Sequence, residues 1–464
     1  MNRITSLDFA RGLAVFGMTI FHAFFVSWTF FGSGDLGSLT LWEYPFAFLF
    51  FIFGHWRGFF IMISAVVHFY TMYQSYKKGV EPYKILIKQI VFAIILWGLG
   101  ALYNAFLNPW GILDNLFRNG TINFAIAQNF VFFSEVLQNI AVGIIAAAVI
   151  FFILAKTDNL QKNVTLVVTS LALTAFSIIL FSGIVQKGFS LLLDPSGGTD
   201  ITQMNPSDST NLPLFIQYFI IQIAGREAPI FPMLSSSLVG IIIGFILIQD
   251  KKPKNFFKIG YLISLGLFLF GGAWFGLIDI ILLGKPIFAV LVFSHVHPVW
   301  FAFANTGLEL AALLFLLQRV EFNPKLNKEK WMFRSRYFRR WGTIALTVYL
   351  FQCLVFLPMW ILSMIPGAPD FTGYYPATFL WSLLLAVIFY GLWEGIIRLW
   401  ELGRFIGTPE WFLTYANLLT SGRKINHLDP IRSRDIIYNA EPVMFVESSS
   451  IDIEGKTIDS EEKI

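Results

Sequence analysis

Histidine is the side chain in this sequence best suited to taking a proton from a nucleophile near neutral pH. His55 is followed by Trp56 and Arg57 at the start of an apolar run. A protonatable ring beside a fixed positive charge at a membrane boundary suits general-base work on a water-borne substrate. The alternative interpretation is an interfacial anchor made of aromatic and basic residues. His22 lies about halfway along the first apolar run, a position typical of a core histidine satisfied by its packing neighbours.

A group of charges opens that first apolar run. Residues 5–8 (TSLD) have the spacing of a capping box, in which a hydroxyl and a carboxylate satisfy the free amides of a helix start. Asp8 and Arg11 are three residues apart on one helical face, so they are expected to pair. Taken alone, the pattern indicates a helix-entry device. The functional alternative is that Arg3 and Arg11 hold an anion such as a phosphate.

Further carboxylates lie in or beside apolar runs, at Glu135, Asp279, Glu309 and Glu394. Each can pair with Arg, Asn or Gln from a neighbouring helix, as carboxylates inside membranes usually do, and a proton-coupled transporter would use the same residues. The single cysteine, Cys353, excludes internal disulfides and thiolate metal clusters. We expect no metal site.

The elements that must position these residues are membrane helices. Of the 464 residues, 56% are hydrophobic and 13% are charged, against ~25% charged in an ordinary soluble domain. A helix that crosses the bilayer needs ~20 mostly apolar residues, and this chain supplies such a run repeatedly. We therefore predict an all-α, polytopic membrane helix bundle of about ten transmembrane helices. The predicted spans are 9–31, 56–76, 84–107, 133–155, 163–185, 228–249, 256–283, 298–318, 341–365 and 377–399.

The basic residues predict the orientation of these spans. With the N-terminus and the C-terminus cytoplasmic, only five of the 33 Lys and Arg residues fall on the outer side: Arg57, Arg118, Lys187, Arg226 and Lys285. The transmembrane domain is predicted at 1–421, with a basic cytoplasmic loop at 319–340 that membrane lipid could meet. An acidic flexible tail is predicted at 422–464. Because the basic residues are spread over short loops, we expect no nucleic-acid partner.

Four stretches, in chain order, resemble a known superfamily of membrane enzymes. RITSLDFARGLA at 3–14 is similar to the first-helix motif shared by lysosomal heparan-α-glucosaminide N-acetyltransferase and the bacterial YeiB-like membrane proteins. VLQNIA at 136–141 resembles the VLQR-(I/L)-(A/G) element of the heparan enzyme. GTIALTVYLFQ at 342–352 and TPEW at 408–411 resemble segments of YeiB-like proteins. The region from about 156 to 340 matches only in its hydrophobic rhythm.

The resemblance implies an enzyme that takes an acyl group, an acetyl group first of all, from cytosolic acyl-CoA. It delivers that group across the bilayer to an extracytoplasmic acceptor, such as the amine or hydroxyl of a sugar or another small molecule or glycan. The resemblance also implies a catalytic histidine in the outer region after the first helix, where this sequence has His55. His22, in the motif helix itself, is the competitor.

The implied co-substrate also assigns candidate binding residues. CoA carries several negative charges, so the cytoplasmic mouth would hold it with Arg3, Asp8, Arg11, Arg340 and Arg404. The residues that could orient the histidine or the acceptor are Arg57, Glu135 and Gln138. The acceptor would lose its proton to the histidine as it attacks the thioester carbonyl.

Two other classes stay open at this point. A proton-coupled transporter or flippase, acting on a small molecule or a lipid-linked head group, would use the intramembrane carboxylates and need no histidine. A non-catalytic scaffold would use the basic loop and the acidic tail to recruit partners. The sequence predicts an integral, multi-pass protein, in the plasma membrane if the source is prokaryotic, and leaves open whether it forms a homodimer.

Overall fold

The chain folds as a multi-pass helical membrane protein. The computed structural model describes residues 2–33, 39–54, 56–108, 111–124, 131–193, 212–225, 228–253, 255–282, 299–373, 375–420 and 435–445. Within these ranges, eight helices are long and apolar enough to cross a membrane by length and composition. The predicted all-α, multi-pass class is confirmed at this level. His55 and most of the predicted tail lie outside the described residues.

The α-helices of the described residues are numbered here in chain order. They are α1 (Thr5–Ser27), α2 (Thr29–Ser33), α3 (Tyr44–Gly54), α4 (Arg57–Lys77), α5 (Pro82–Leu102), α6 (Ile112–Asn119), α7 (Val136–Lys156), α8 (Val164–Leu193), α9 (Leu214–Ala224), α10 (Ile230–Leu247), α11 (Phe256–Trp274), α12 (Val299–Arg319), α13 (Lys328–Thr343), α14 (Ala345–Leu350), α15 (Phe356–Ser363), α16 (Phe379–Leu402) and α17 (Pro409–Thr420). Three π-helical segments, Tyr103–Leu107, Phe275–Leu282 and Asp435–Asn439, and one 3₁₀ turn, Gln352–Val355, complete the helical elements. Two short strands, Asn2–Arg3 and Glu441–Pro442, pair with each other.

The start of α1 differs from the sequence prediction. Ile4 precedes the helix and no side-chain cap forms there, so the capping box expected at residues 5–8 is wrong. The reason is that a carboxylate from elsewhere takes the free amide: Glu321 accepts the backbone N–H of Ser6 at 2.9 Å. Asp8 is thereby released to bind arginines.

Helices α1 and α13 cross in backbone contact. A Cβ atom on Gly12 would lie 1.7 Å from the carbonyl oxygen of Phe338, and one on Gly342 would lie 2.4 Å from the carbonyl oxygen of Asp8. Small residues at such crossings let helix backbones approach closely. The segment 319–340, expected as a loop, is therefore largely helical, since α13 begins at Lys328 and packs along α1.

The predicted ninth span, 341–365, is not one helix. It contains the end of α13, then α14, a 3₁₀ turn and α15. Broken helices are tolerated at membrane depth where protein covers the backbone, and Thr347, Gln352 and Met359 are buried here. The free amide of Thr347 donates to the carboxylate of Glu410 in α17 at 2.9 Å. A tertiary partner thus compensates for the helical bond that the break removes.

Helix α4 lies at the centre of the bundle between α10 and α12. A Cβ atom on Gly240 of α10 would lie 2.4 Å from the carbonyl oxygen of Met62, so these two backbones are also in close contact. Phe59 and Val66 of α4 belong to a buried hydrophobic cluster that includes Leu313 of α12. This packing fixes the start of α4, and with it Arg57, inside the bundle.

The two ends of the described chain meet on one side of the bundle, here called the basic end. The strands Asn2–Arg3 and Glu441–Pro442 pair in parallel. The backbone N–H of Phe445 donates to the carbonyl oxygen of Glu321 at 2.8 Å. The sequence interpretation placed residues 435–445 in the flexible tail, whereas these contacts attach that segment to the helical domain.

Candidate functional site

Two groups of polar side chains lie along α1, and the first is at the basic end. Asp8 accepts hydrogen bonds from Arg3 Nε at 2.9 Å and from Arg11 Nη2 at 2.8 Å. The Asp8 side chain is 7% exposed, while those of Arg3 and Arg11 are 27% and 32% exposed. The expected pairing of Asp8 with Arg11 is confirmed, and Arg3 joins it. The carboxylate is buried and orients two guanidinium groups that reach the surface.

Two more charged residues act on this group. Arg339 is fully buried, donates to the carbonyl oxygen of Met332 at 2.9 Å and interacts electrostatically with Asp8. Burial lowers the pKa of Arg339 to about 10, so it stays protonated at neutral pH. Glu410 interacts electrostatically with Arg11, and burial raises the pKa of Glu410. The guanidinium groups of Arg3, Arg11 and Arg339 therefore all act on the single carboxylate of Asp8.

The predicted residue Arg340 has a different role from Arg339. Its Nε lies 2.7 Å from Glu401, with both side chains less than a tenth exposed, and its Nη2 donates to Tyr438 Oη at 3.1 Å. This pair attaches the segment 435–439 to α16 and is not directed at Asp8. Arg404 lies exposed in the turn after α16. Of the five predicted anion-binding residues, the structure brings together Arg3, Asp8 and Arg11.

The second group, here called the histidine centre, lies farther along α1. Tyr349 Oη donates to Glu135 Oε2 at 2.9 Å, and both residues are buried. Arg57 interacts electrostatically with both Tyr349 and His22. Gln352, presented by the break after α14, adjoins His22. The centre therefore joins α1, α4, α7 and the broken segment around α14.

Several buried polar atoms of the histidine centre have no hydrogen-bond partner among the described residues. They are His22 Nδ1, Gln352 Oε1 and Gln138 Nε2. Buried polar atoms in folded proteins are almost always satisfied by protein or water. The Gln352 side chain lies against the His22 ring, so their open atoms partly serve each other, and a polar ligand at His22 would replace that contact.

Glu135 and Gln138 also have a structural role. They form the capping box of α7, with the backbone N–H of Glu135 donating to Gln138 Oε1 at 3.1 Å. Asn139 donates to the carbonyl oxygen of Glu135 at 3.1 Å and also to Ala228. Sequence reasoning expected Glu135 and Gln138 to orient a histidine and missed Tyr349. Tyr349 could have been predicted as a site residue, because it lies with Gln352 in the stretch 342–352 that resembles YeiB-like proteins.

The two groups are connected by one helix. Arg11 and His22 are eleven residues apart on α1, which is about 16 Å along a helix axis. No protein-family model, no curated protein and no solved structure matches this chain.

Proposed function

We propose that this protein is a transmembrane acyltransferase that uses acyl-CoA, acetyl-CoA first of all. In this proposal it has ten spans with both termini cytoplasmic, so the basic end faces the cytosol. The observation that carries the proposal is the arrangement on α1. An arginine pair suited to phosphate lies near one end, and a half-buried histidine beside Gln352 lies about 16 Å away.

The arginines account for recognition of the cytosolic substrate. Arginine guanidinium groups bind phosphate through paired, charge-assisted hydrogen bonds. Arg3 and Arg11 are half-buried and oriented by Asp8, and Arg339 adds a charge behind them. The phosphates of CoA bind here, and the uncharged arm that carries the thioester extends between the helices toward His22.

The histidine centre accounts for the transfer. His22 takes the proton from the acceptor amine or hydroxyl as that atom attacks the thioester carbonyl carbon. The C–S bond then breaks, and the CoA sulfur leaves with the proton that His22 held. Arg57 lies close enough to stabilise the negative charge that develops on the carbonyl oxygen. Tyr349 and Glu135, joined by a hydrogen bond, form another part of the centre's wall.

The acceptor enters from the side opposite the basic end in this proposal. A sugar amine or hydroxyl, either free or on a small glycan, has the required nucleophile. We also propose that the protein lies in the plasma membrane of a prokaryote. The proposed reaction fits a monomer and a homodimer equally. His55, two residues before Arg57 in sequence, is the competing catalytic histidine.

Three histidine variants test the proposal. Purified protein in detergent is supplied with radiolabelled acetyl-CoA and an amino sugar, and label transfer is measured. We expect wild-type protein to transfer label and His22→Ala to lose ~100-fold or more in kcat. His68→Asn is the matched control, because His68 bonds Gln89 on the neighbouring α5 and lies outside the centre.

The outcomes separate the class from the site. Loss of transfer in His55→Ala with full activity in His22→Ala would overturn the assignment to His22 and leave the class standing. Movement of an acceptor across a vesicle membrane without acetyl-CoA consumption would overturn the class. An Arg11→Gln variant should weaken CoA binding by ~10-fold, because one charge-assisted contact is lost.

A proton-coupled transporter or flippase is the second candidate function. The observation that favours it is Glu309, a carboxylate buried completely within α12 and bonded only to neutral donors in the described part of the chain. Intramembrane carboxylates of this kind occur in proton pathways. Uptake of a labelled solute driven by a pH gradient, lost in Glu309→Gln, would support this function.

A further inference from the structure

Glu309 is a buried charge-bearing group that the acyl-transfer proposal does not use. It lies in the middle of α12 and is fully buried. Asn305 Nδ2 donates to its Oε1 at 2.9 Å, and Ser236 Oγ donates to its Oε2 at 3.4 Å. Among the described residues, no Lys or Arg forms an ion pair with it. Another feature must therefore make this carboxylate favourable inside the bundle.

That feature is the first turn of α4. The backbone N–H of Phe59 donates to the carbonyl oxygen of Trp56 at 3.2 Å and also faces the Glu309 carboxyl group. A Cβ atom on Gly58 would lie 2.6 Å from each carboxylate oxygen, so the carboxylate is in direct contact with the backbone there. The residue before α4, Trp56, provides no side-chain cap. A helix start has free N–H groups, and a carboxyl oxygen can accept hydrogen bonds from them.

The contact fixes more than the helix end. Arg57 is the first residue of α4 and precedes Gly58, so any movement of that first turn displaces Arg57 relative to α1 and α7. Arg57 is also the residue whose charge acts on His22 and Tyr349. A carboxylate on α12 is thus connected to the histidine centre through two consecutive backbone positions.

We propose that Glu309 is a positioning residue for the histidine centre. It caps α4 from the neighbouring helix α12 and thereby holds Arg57 beside His22. The effect of Glu309 on catalysis rests on the proposed acyl transfer. The coupling between Glu309, Arg57 and His22 is independent of that proposal.

The surroundings of Glu309 restrict its movement. A cavity of about 10 Å³ lies beside it, lined among others by Gly58, Ser236 and Thr306. This is close to the room that one water molecule needs, and it is too small for the carboxylate to swing away from α4. In Glu309→Gln, the amide nitrogen replaces an acceptor with a donor that faces Asn305, Ser236 or the Phe59 N–H. The variant therefore weakens the cap without opening a large space.

The test measures the pH profile of chemical modification at His22, which requires no substrate and no catalysis. Purified protein in detergent is treated with diethyl pyrocarbonate across a pH series, and modification of the His22 peptide is quantified by mass spectrometry. We expect Arg57→Gln and Glu309→Gln to move the midpoint in the same direction. The double variant should move it no further than the larger single effect, because both changes act through Arg57. Thr306→Val, one turn away on α12, is the matched control and should leave the midpoint unchanged.

Two results would overturn the proposal. One is a Glu309→Gln profile that coincides with wild type while Arg57→Gln shifts. The other is a double variant with fully additive shifts, which would show independent effects. If Glu309→Gln does not fold, Glu309→Asp takes its place in the same labelling measurement. Aspartate keeps the carboxyl group but draws it back from α4. It should give a smaller shift in the same direction.

A kinetic measurement separates this proposal from acyl transfer itself. If transfer occurs, Glu309→Gln should lower kcat at least 10-fold and change KM for acetyl-CoA less than 3-fold, because CoA binds at the basic end. An equal change in KM and kcat would count against positioning. If wild-type protein transfers no acyl group but the labelling profiles remain coupled, the function proposal fails and the positioning proposal stands.

Discussion

The two polar groups on α1 are built from different kinds of interaction. At the basic end, guanidinium groups meet carboxylates directly: Asp8 binds Arg3 and Arg11, and Arg340 binds Glu401. In the histidine centre, Glu135 accepts a hydrogen bond from Tyr349 Oη, and the side chains of His22 and Gln352 lie against each other. Both regions keep open polar atoms among the described residues, Arg11 Nε and Glu321 Oε2 in the first and His22 Nδ1 in the second, but ion pairs join the helices of the first.

The difference predicts which property, stability or activity, should change first when each region is disrupted. A buried polar atom without a partner costs about 1 to 3 kcal/mol, so a fold keeps such atoms where something else completes them. Ion pairs between helices, such as Arg340 with Glu401, also hold those helices together, so their loss costs stability. On this reasoning, disruption of the basic end should first reduce stability, and disruption of the histidine centre should first reduce activity.

The largest expected effect is from Gly12→Ala, which breaks the crossing that builds the basic end. Its methyl group would lie 1.7 Å from the Phe338 carbonyl oxygen, and a backbone atom cannot move aside as a side chain can. We expect a loss of about 3 kcal/mol in stability. Gly17→Ala is the control, since no described residue lies within 4 Å of a Cβ there and the helix gains up to about 1 kcal/mol.

Both variants are purified by gel filtration in detergent. Light scattering then follows their thermal unfolding and gives the two melting temperatures. Equal melting temperatures for Gly12→Ala and Gly17→Ala would show that α1 and α13 are not in backbone contact. The same samples should show CoA binding lost in the first variant and kept in the second.

The second effect concerns Glu321, a carboxylate at the basic end that has only neutral donors in the described part of the chain. It accepts hydrogen bonds from Ser6 N and Thr5 Oγ1, and burial raises its pKa from 4.5 to about 7. Between these values the folded protein keeps a proton that the unfolded chain releases. Stability therefore falls as pH rises through this window, by up to ~1.4 kcal/mol per pH unit.

Glu321→Gln should remove this contribution, so its stability advantage over wild type grows from pH 4.5 to 7. Chemical unfolding at several pH values measures the difference between the two proteins. Glu329→Gln, at an exposed carboxylate on α13, is the control and should follow wild type. A Glu321→Gln curve parallel to wild type would mean that this carboxylate is hydrated in the folded protein.

The smallest effect on stability is expected in the histidine centre. In Gly100→Ala, the new methyl group would lie 2.8 Å from Gln138 Oε1, so that side chain must move away from the backbone N–H of Glu135. The lost bond costs about 1 kcal/mol and the gain in helix propensity offsets it. Gly98→Ala, with nothing within 4 Å of its Cβ, gains the propensity alone.

We therefore expect Gly100→Ala to melt near wild type and to lose acyl transfer, while Gly98→Ala keeps transfer. Label transfer and thermal unfolding on the same preparations give both quantities. If Gly100→Ala proved strongly destabilised instead, the two regions would not differ in the way described above.

The sequence predicted contacts between residues close together on one helix and missed contacts between helices. Asp8 and Arg11 are three residues apart on one helix, so local spacing predicted their pair. Arg339 comes from α13, and only the contact between Gly12 and Gly342 brings it to Asp8. Arg340, its neighbour in sequence, points to Glu401 because consecutive residues lie on different faces of a helix.

The predicted spans show the same limit. Hydropathy reports how apolar a segment is, so it found most of the long helices and joined 341–365 into one. The break before α14 depends on Glu410, which accepts the amide of Thr347 from a different helix. The capping box at 5–8 failed for the same reason, since Glu321 serves the helix start in place of the local side chains. His55 remains a prediction.

The parallel pairing of Asn2–Arg3 with Glu441–Pro442 has a consequence for biosynthesis. A ribosome adds ~5 to 20 residues per second, so the second strand emerges about 20 to 90 s after the first. The helices of the bundle are synthesised in that interval, while the N-terminal strand waits for its partner. The basic end is thus the last part of the molecule to be completed, and a chain stopped before Glu441 would contain the membrane helices with this junction still open.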